Sequence, residues 1–231
     1  HFWLPDVLQG TPLKTALIIT TWQKLAPLSI LYMTHPSLHP ATLMTMGLLS
    51  TLVGGWGGMN QTQTRKIMAF SSIAHLGWMA TILMLSPNIL LLNLTLYLLM
   101  TGAAFLALTM TTAKTIKDMA MTWPVSPTLT ALMLALLMSM GGLPPLTGFM
   151  PKWLILQELV HHNLSPTATI LALSALLSLF FYLRLSYATT LTLHPTTTQN
   201  KHKWRLHPKL KTAMMTTLLA TSTLLLPITP T

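Results

Sequence analysis

The chain has no cysteine, and its 231 residues include only three acids: Asp6, Asp118 and Glu158. Without thiols it can form no disulfide, hold no iron–sulfur cluster and build no thiolate metal site. Three scattered carboxylates leave no pair for acid–base work and no carboxylate cluster for a metal. Charge of either sign is scarce, at 7% of residues against about 25% in soluble domains. A phosphate-binding loop is missing too. The glycine-rich run at 54–58 has no strand-to-helix context, so it does not read as a nucleotide fingerprint. The pair His161-His162 lies in a short loop without cysteine or carboxylate partners, so no metal is expected there.

What is abundant is apolar. Hydrophobic residues make up 52% of the chain and the mean hydropathy is +0.59. The expected fold class is all-α, a polytopic membrane helix bundle. The length suits about seven spans of ~20 residues joined by short loops. The net charge of +10 invites a nucleic-acid reading, and the basic stretch 201–211 interleaves Trp204. In a membrane protein, basic residues gathered in loops on one side account for it, and no nucleic-acid partner is expected. No signal peptide is visible. The chain starts at a histidine inside what reads as structured sequence, and it is expected to be an internal fragment truncated at its N-terminus.

Turn and cap signals divide the chain as one transmembrane domain. Residues 1–10 read as the tail of a helix followed by a turn. Helices are expected at 13–33, 41–56, 65–85, 89–111, 127–160, 167–189 and 209–227. The glycines at 54–58 close the second, and a polar loop fills 112–123. Ser126-Pro127 and Ser165-Pro166 each suit an N-cap followed by proline at the first helical position. The helix over 127–160 is interrupted near 141–145. Its centre reads Gly141-Gly142-Leu143-Pro144-Pro145-Leu146-Thr147-Gly148-Phe149-Met150-Pro151-Lys152-Trp153, with three glycines and three prolines. Proline removes a backbone donor and frees carbonyls. Freed backbone inside a bilayer is tolerated only against protein or a watery cavity. An interrupted span beside a buried charge marks an ion-handling membrane protein. The plainer reading is a loop between two short helices, with Lys152 snorkelling to a surface.

The loops set an orientation. Lys14, Arg65, Lys66, Lys114, Lys117, Lys201, Lys203, Arg205, Lys209 and Lys211 fall on one side, while the loops 34–40, 86–88 and 161–165 carry no Lys or Arg. That asymmetry places the basic side towards the cytoplasm of a bacterium or the matrix of a mitochondrion. Lys24, Lys152 and Arg184 remain within spans. Lys24 lies ~16 Å and Lys152 ~12 Å from a helix end, at 1.5 Å per residue, so both fall near the midplane. A lysine there costs ~2.5–3.5 kcal/mol on insertion scales unless hydrated, paired or neutral. Lysine can load and release a proton when buried, and arginine cannot. Arg184 is read as an anchor reaching the basic surface, and Glu158 as a loop-side anchor. His75 shares a helix face with Ser71 and Trp78. It reads either as a hydrogen-bonded packing group or as a relay member.

Four stretches, in this order and spacing, carry a resemblance. They are His1-Phe2-Trp3-Leu4-Pro5-Asp6, Thr21-Trp22-Gln23-Lys24-Leu25-Ala26-Pro27, Asn60-Gln61-Thr62-Gln63-Thr64-Arg65-Lys66-Ile67-Met68-Ala69-Phe70-Ser71-Ser72-Ile73-Ala74-His75, and the run at 141–153 quoted above. Together they resemble the antiporter-like membrane subunits of vertebrate mitochondrial complex I, NADH–ubiquinone oxidoreductase, a family similar to subunits of multi-subunit cation/proton antiporters. The resemblance implies two inverted five-helix repeats, each with one broken helix. Lys24 then matches the family's central lysine on an unbroken helix, Lys152 the lysine of the second broken helix, and His1 the histidine that follows the first. The family's earlier lysine and its paired glutamate lie before residue 1. Phe70 stands where the family often has tyrosine, which leaves Ser71 and His75 for a relay.

The implied function is proton translocation coupled to NADH oxidation by ubiquinone, with Lys24 and Lys152 transferring protons and His1 and His75 as secondary candidates. NAD, flavin, Fe–S and ubiquinone sites are then expected on other subunits and no cofactor on this chain. The partners would be other membrane-arm subunits, the lipid bilayer and protons, in the mitochondrial inner membrane. A standalone cation/proton antiporter and a structural spacer of the membrane arm are the other readings.

Overall fold

A computed structural model describes residues 3–122 and 127–190, together with Thr217 and Ala220. Among the described residues the regular structure is helical, in the order α1 (Trp3–Gly10), α2 (Leu13–Thr21), a 3-10 turn (Trp22–Lys24), α3 (Leu25–Thr34), a second 3-10 turn (His35–Ser37), α4 (Pro40–Met59), α5 (Thr64–Ile82), α6 (Pro87–Thr111), α7 (Ile116–Ala120), α8 (Pro127–Gly141), α9 (Phe149–His161) and α10 (Ser165–Thr190). His1, the Ser126 cap, the basic stretch at 201–211 and all but two residues of the helix expected at 209–227 lie outside the described residues.

Several boundaries differ from the sequence reading, each for a local reason. The helix expected at 13–33 is not continuous but turns to 3-10 at Trp22–Lys24. Pro27 accounts for this. It has no N–H to give the Gln23 carbonyl, and its ring crowds that same group, so the turn upstream tightens. The helix expected to close at 56 runs on to Met59, with its glycines inside it. They form a packing face: a Cβ at Gly54 would stand 2.6 Å from the Ala74 nitrogen, and one at Gly55 2.8 Å from the Leu177 Cβ. Small residues let α5 and α10 close on α4, as membrane helix pairs require. The loop expected at 112–123 contains α7, held by a capping box. Thr115 accepts from the Asp118 amide at 3.3 Å, and Asp118 Oδ2 accepts from the Thr115 amide at 2.8 Å. The interruption in 127–160 spans 142–148, between the end of α8 and the start of α9. The remaining helices, expected at 65–85, 89–111 and 167–189, run Thr64–Ile82, Pro87–Thr111 and Ser165–Thr190.

By length and composition, two helices among the described residues can cross a membrane, α6 and α10. This is fewer than the seven spans expected from sequence. The two breaks divide what would otherwise be long apolar runs, leaving α2, α3, α8 and α9 each at 15 residues or fewer. α4 is diluted by glycine, and α5 carries Arg65, Lys66, Ser71, Ser72 and His75.

The apolar core has two centres. One gathers side chains of α1, α2, α5, α6, α8 and α10 around Phe105, Met140 and Phe181. The other lies towards the opposite ends of α5 and α6, where Trp78, Met79 and Leu90 meet Leu28 of α3, Ile155 of α9 and Leu171 of α10. On the basic side the loops are tied together. Gln63 and Thr115 form an antiparallel bridge, and Thr64 Oγ1 donates to the Ala113 carbonyl at 3.0 Å. Arg65 donates to the Thr11 carbonyl at 2.6 Å, fixing the α1–α2 turn against α5.

Candidate functional site

Both lysines singled out in the sequence are buried, Lys24 at 6% exposure and Lys152 at 9%. Neither head group ends among hydrocarbon alone. Lys24 Nζ donates to Tyr97 Oη at 2.7 Å and to the Ser72 carbonyl at 3.3 Å, and it lies 4.6 Å from the centroid of the Tyr97 ring. Two of its three donors are therefore matched, with an aromatic face beside them. Lys24 also lines a cavity of about 410 Å³ that is mostly apolar, with Leu4, Leu28, Leu76 and Leu83, and with Gln23 as a further polar side chain.

Lys152 Nζ donates to the Gly141 carbonyl at 2.9 Å. That carbonyl closes α8 and has no helical partner, because the chain turns away at Gly142, with φ +83°. The negative end of a helix favours a cation there. Lys24 sits in an equivalent place, just past the end of α2. In the 3-10 turn bonding runs from i to i+3, which takes the Lys24 amide away from the Thr20 carbonyl. Tyr97 Oη donates to that carbonyl instead, at 3.1 Å. Each lysine thus stands at a break in a helix, beside freed backbone.

His75 joins the first of these groups. Its ring packs against Tyr97 at 5.3 Å between centroids, tilted by 48°. The second group approaches from α10. Tyr182 lies beside Ser71 and within electrostatic reach of Tyr97, and a Cβ at Gly141 would stand 3.8 Å from Tyr182. From Lys24 the contacts run through Tyr97 to His75; on the other side Tyr182 turns its Cβ and ring towards Gly141 and keeps a buried hydroxyl without a hydrogen-bond partner among the described residues. At the break itself, Ser139 Oγ accepts from the Gly148 amide at 3.3 Å and lies 3.2 Å from Thr147 Oγ1.

Tyr97 and Tyr182 went unnoticed in the sequence. A tyrosine in an apolar run reads as core, and only its meeting with a lysine many residues away shows otherwise. Two other residues stand apart. Arg184 donates to the Met59 carbonyl at 2.8 Å and caps the end of α4. Glu158 pairs with His162 one helical turn on, at 3.9 Å and half exposed. This corrects the sequence reading, which left the His161-His162 pair without a carboxylate neighbour. His1 lies outside the described residues.

The profile of the NADH:quinone oxidoreductase/Mrp antiporter transmembrane family matches residues 1–180, and that of the NADH dehydrogenase subunit 2 C-terminus matches residues 179–231. The chain belongs to the NADH:quinone oxidoreductase/Mrp antiporter family. Within it, NADH-ubiquinone oxidoreductase chain 2 of Xenopus laevis is 56% identical over 230 residues, which is 100% of this chain and 67% of that protein. Its counterpart from Tetraodon nigroviridis is 57% identical over 230 residues, 100% of this chain and 66% of its own length. The chain spans about two thirds of the length of these curated relatives. A chain of respiratory complex I from Thermus thermophilus has the same fold, with a TM-score of 0.79 at 28% identity over 98% of this chain and 54% of that one. The all-helical architecture is thus that of the antiporter-like membrane subunits.

Proposed function

We propose that this chain is part of a core membrane-arm subunit of respiratory complex I and that it moves protons across the membrane as NADH is oxidised by ubiquinone. Family membership and the names of the relatives support the assignment. The observation that carries the proton role is the placing of Lys24 and Lys152. Each stands buried at a helix break, with its head group on a polar acceptor. A structural spacer gains nothing from two such lysines, whose burial is costly.

In this reading Lys24 and Lys152 alternate between charged and neutral forms and exchange protons through water on a path past Tyr97 and His75. His75 and His1 are secondary candidates for the same transfer. The subunit works among other membrane-arm subunits in the lipid of the mitochondrial inner membrane, with about seven spans in an inverted-repeat arrangement and its basic loops towards the matrix. Electron transfer, and the NAD, flavin, Fe–S and ubiquinone sites that serve it, belong to other subunits.

The test is Lys24→Met and Lys152→Met, each made in the full-length subunit within assembled complex I. NADH:ubiquinone turnover per assembled enzyme is expected to fall roughly tenfold or more in each, since a positioned proton-transfer group contributes on the order of a hundredfold. Wild-type turnover in both refutes the proton role and leaves the spacer. The family also includes Mrp antiporters. If the full-length chain alone exchanged Na⁺ or K⁺ for protons in proteoliposomes, the assignment would move to a standalone antiporter.

A further inference from the structure

Tyr97 is the group on which the surroundings of Lys24 converge. Lys24 reaches it from the 3-10 turn, Ser72 and His75 face it from α5, Thr101 lies one turn along α6, and Tyr182 stands nearby on α10. Its side chain is 1% exposed, and its hydroxyl makes two hydrogen bonds of different kinds, with the Ser72 and Thr101 side chains beside it. Lys24 Nζ donates to Oη at 2.7 Å, and Oη donates its own hydrogen to the Thr20 carbonyl at 3.1 Å. That carbonyl is available only because the helix tightens at Trp22–Lys24.

A phenol has one hydrogen to give and lone pairs to receive. An ammonium can only donate, so while Lys24 is charged the Tyr97 hydrogen must point elsewhere, and Thr20 accepts it. A neutral amine has a lone pair. Once Lys24 has lost its proton, Nζ becomes an acceptor 2.7 Å from Oη, and the hydroxyl hydrogen can rotate onto it. We infer that Tyr97 is a positioning residue for Lys24: its hydroxyl points to the Thr20 carbonyl when Lys24 is charged and to Nζ when Lys24 is neutral. Each form of the lysine then keeps a matched partner in the same place. Tyr97 neither gains nor loses a proton in this motion. The Thr20 carbonyl, freed at the break, serves as the resting acceptor. This inference rests on the proton role given to Lys24 above.

The experiment is Tyr97→Phe in the full-length subunit of assembled complex I, beside Lys24→Met and the double variant. Phenylalanine keeps the ring over Lys24 and against His75 and removes only the oxygen. NADH:ubiquinone turnover and proton pumping are measured per assembled enzyme, with enzyme content taken from NADH:ferricyanide reductase activity, which bypasses the membrane arm. Turnover in Tyr97→Phe is expected to fall about tenfold, the worth of one hydrogen bond to a charged group. The double variant should be no slower than Lys24→Met alone, because Tyr97 acts only through Lys24. A packing role would instead add its own loss in the double variant. Turnover in Tyr97→Phe within twofold of wild type, with Lys24→Met impaired, overturns the inference and leaves the proton role standing. So does a double variant clearly slower than Lys24→Met. Wild-type turnover in Lys24→Met refutes the proton role itself.

Discussion

Gly142→Ala perturbs the seat of Lys152 without touching the lysine. Gly142 has φ +83°, where an L side chain is strained, and alanine in a left-handed conformation costs about 1–2 kcal/mol. The added methyl has a second effect. It would stand 2.9 Å from Lys152 Nζ and 3.0 Å from its Cδ, so the side chain must shift and strain its bond to the Gly141 carbonyl. A hydrogen bond from a charged group is worth about 1.5–3 kcal/mol. Losing that bond removes up to about 1.5–3 kcal/mol of preference for the Gly141-bound position, or one to two decades in occupancy, while the backbone strain weakens the break itself. NADH:ubiquinone turnover per assembled enzyme is therefore expected to drop more than tenfold. Gly102→Ala is the control: a Cβ there meets nothing within 4 Å, and the change raises helix propensity by ~1 kcal/mol. It should leave turnover unaltered. If Gly142→Ala also runs at the wild-type rate, the contact between Lys152 and Gly141 is not needed and the argument from freed backbone fails.

The scaffold yields two further predictions. Gly54→Val would drive a side chain into the backbone of α5, 2.6 Å from the Ala74 nitrogen. It should prevent stable assembly, seen as loss of the complex on a native gel, and normal assembly would contradict the glycine-face packing. Asp118→Ala removes the acceptor for the Thr115 and Lys114 amides, at 2.8 and 3.0 Å. Thermal stability of the subunit should fall by about 1 kcal/mol with turnover per assembled enzyme unaltered, and an unchanged melting temperature would show that the cap at α7 is idle.

The second break and its lysine were legible in the sequence because the signal is local. Three glycines and three prolines within 141–153 cannot continue a helix, and Lys152 follows at once. The first break was harder to see. Thr21-Trp22-Gln23-Lys24 contains no breaker, and the cause, Pro27, acts on the turn before it. Read for its missing N–H, Pro27 would have pointed to a free Gln23 carbonyl beside Lys24. The glycines at 54–58 misled in the other direction. Glycine serves both to end helices and to let them approach, and only the nearness of Ala74 and Leu177 separates the two uses. Tyr97 was beyond reach of the sequence, since its role depends on Thr20, Lys24 and His75 arriving from three other elements. Burial of Ser71 and His75 followed from their shared helix face, while the partner of His75 did not.

The most direct test of the proton role is the number of protons pumped per electron, together with the rate, in sealed vesicles containing complex I with Lys24→Met. The account predicts that pumping and NADH oxidation fall together while assembly stays normal, because the redox step is coupled to a path through Lys24. Wild-type pumping at a wild-type rate would contradict it and leave Lys24 as a buried lysine held by Tyr97 and Ser72 without a part in translocation.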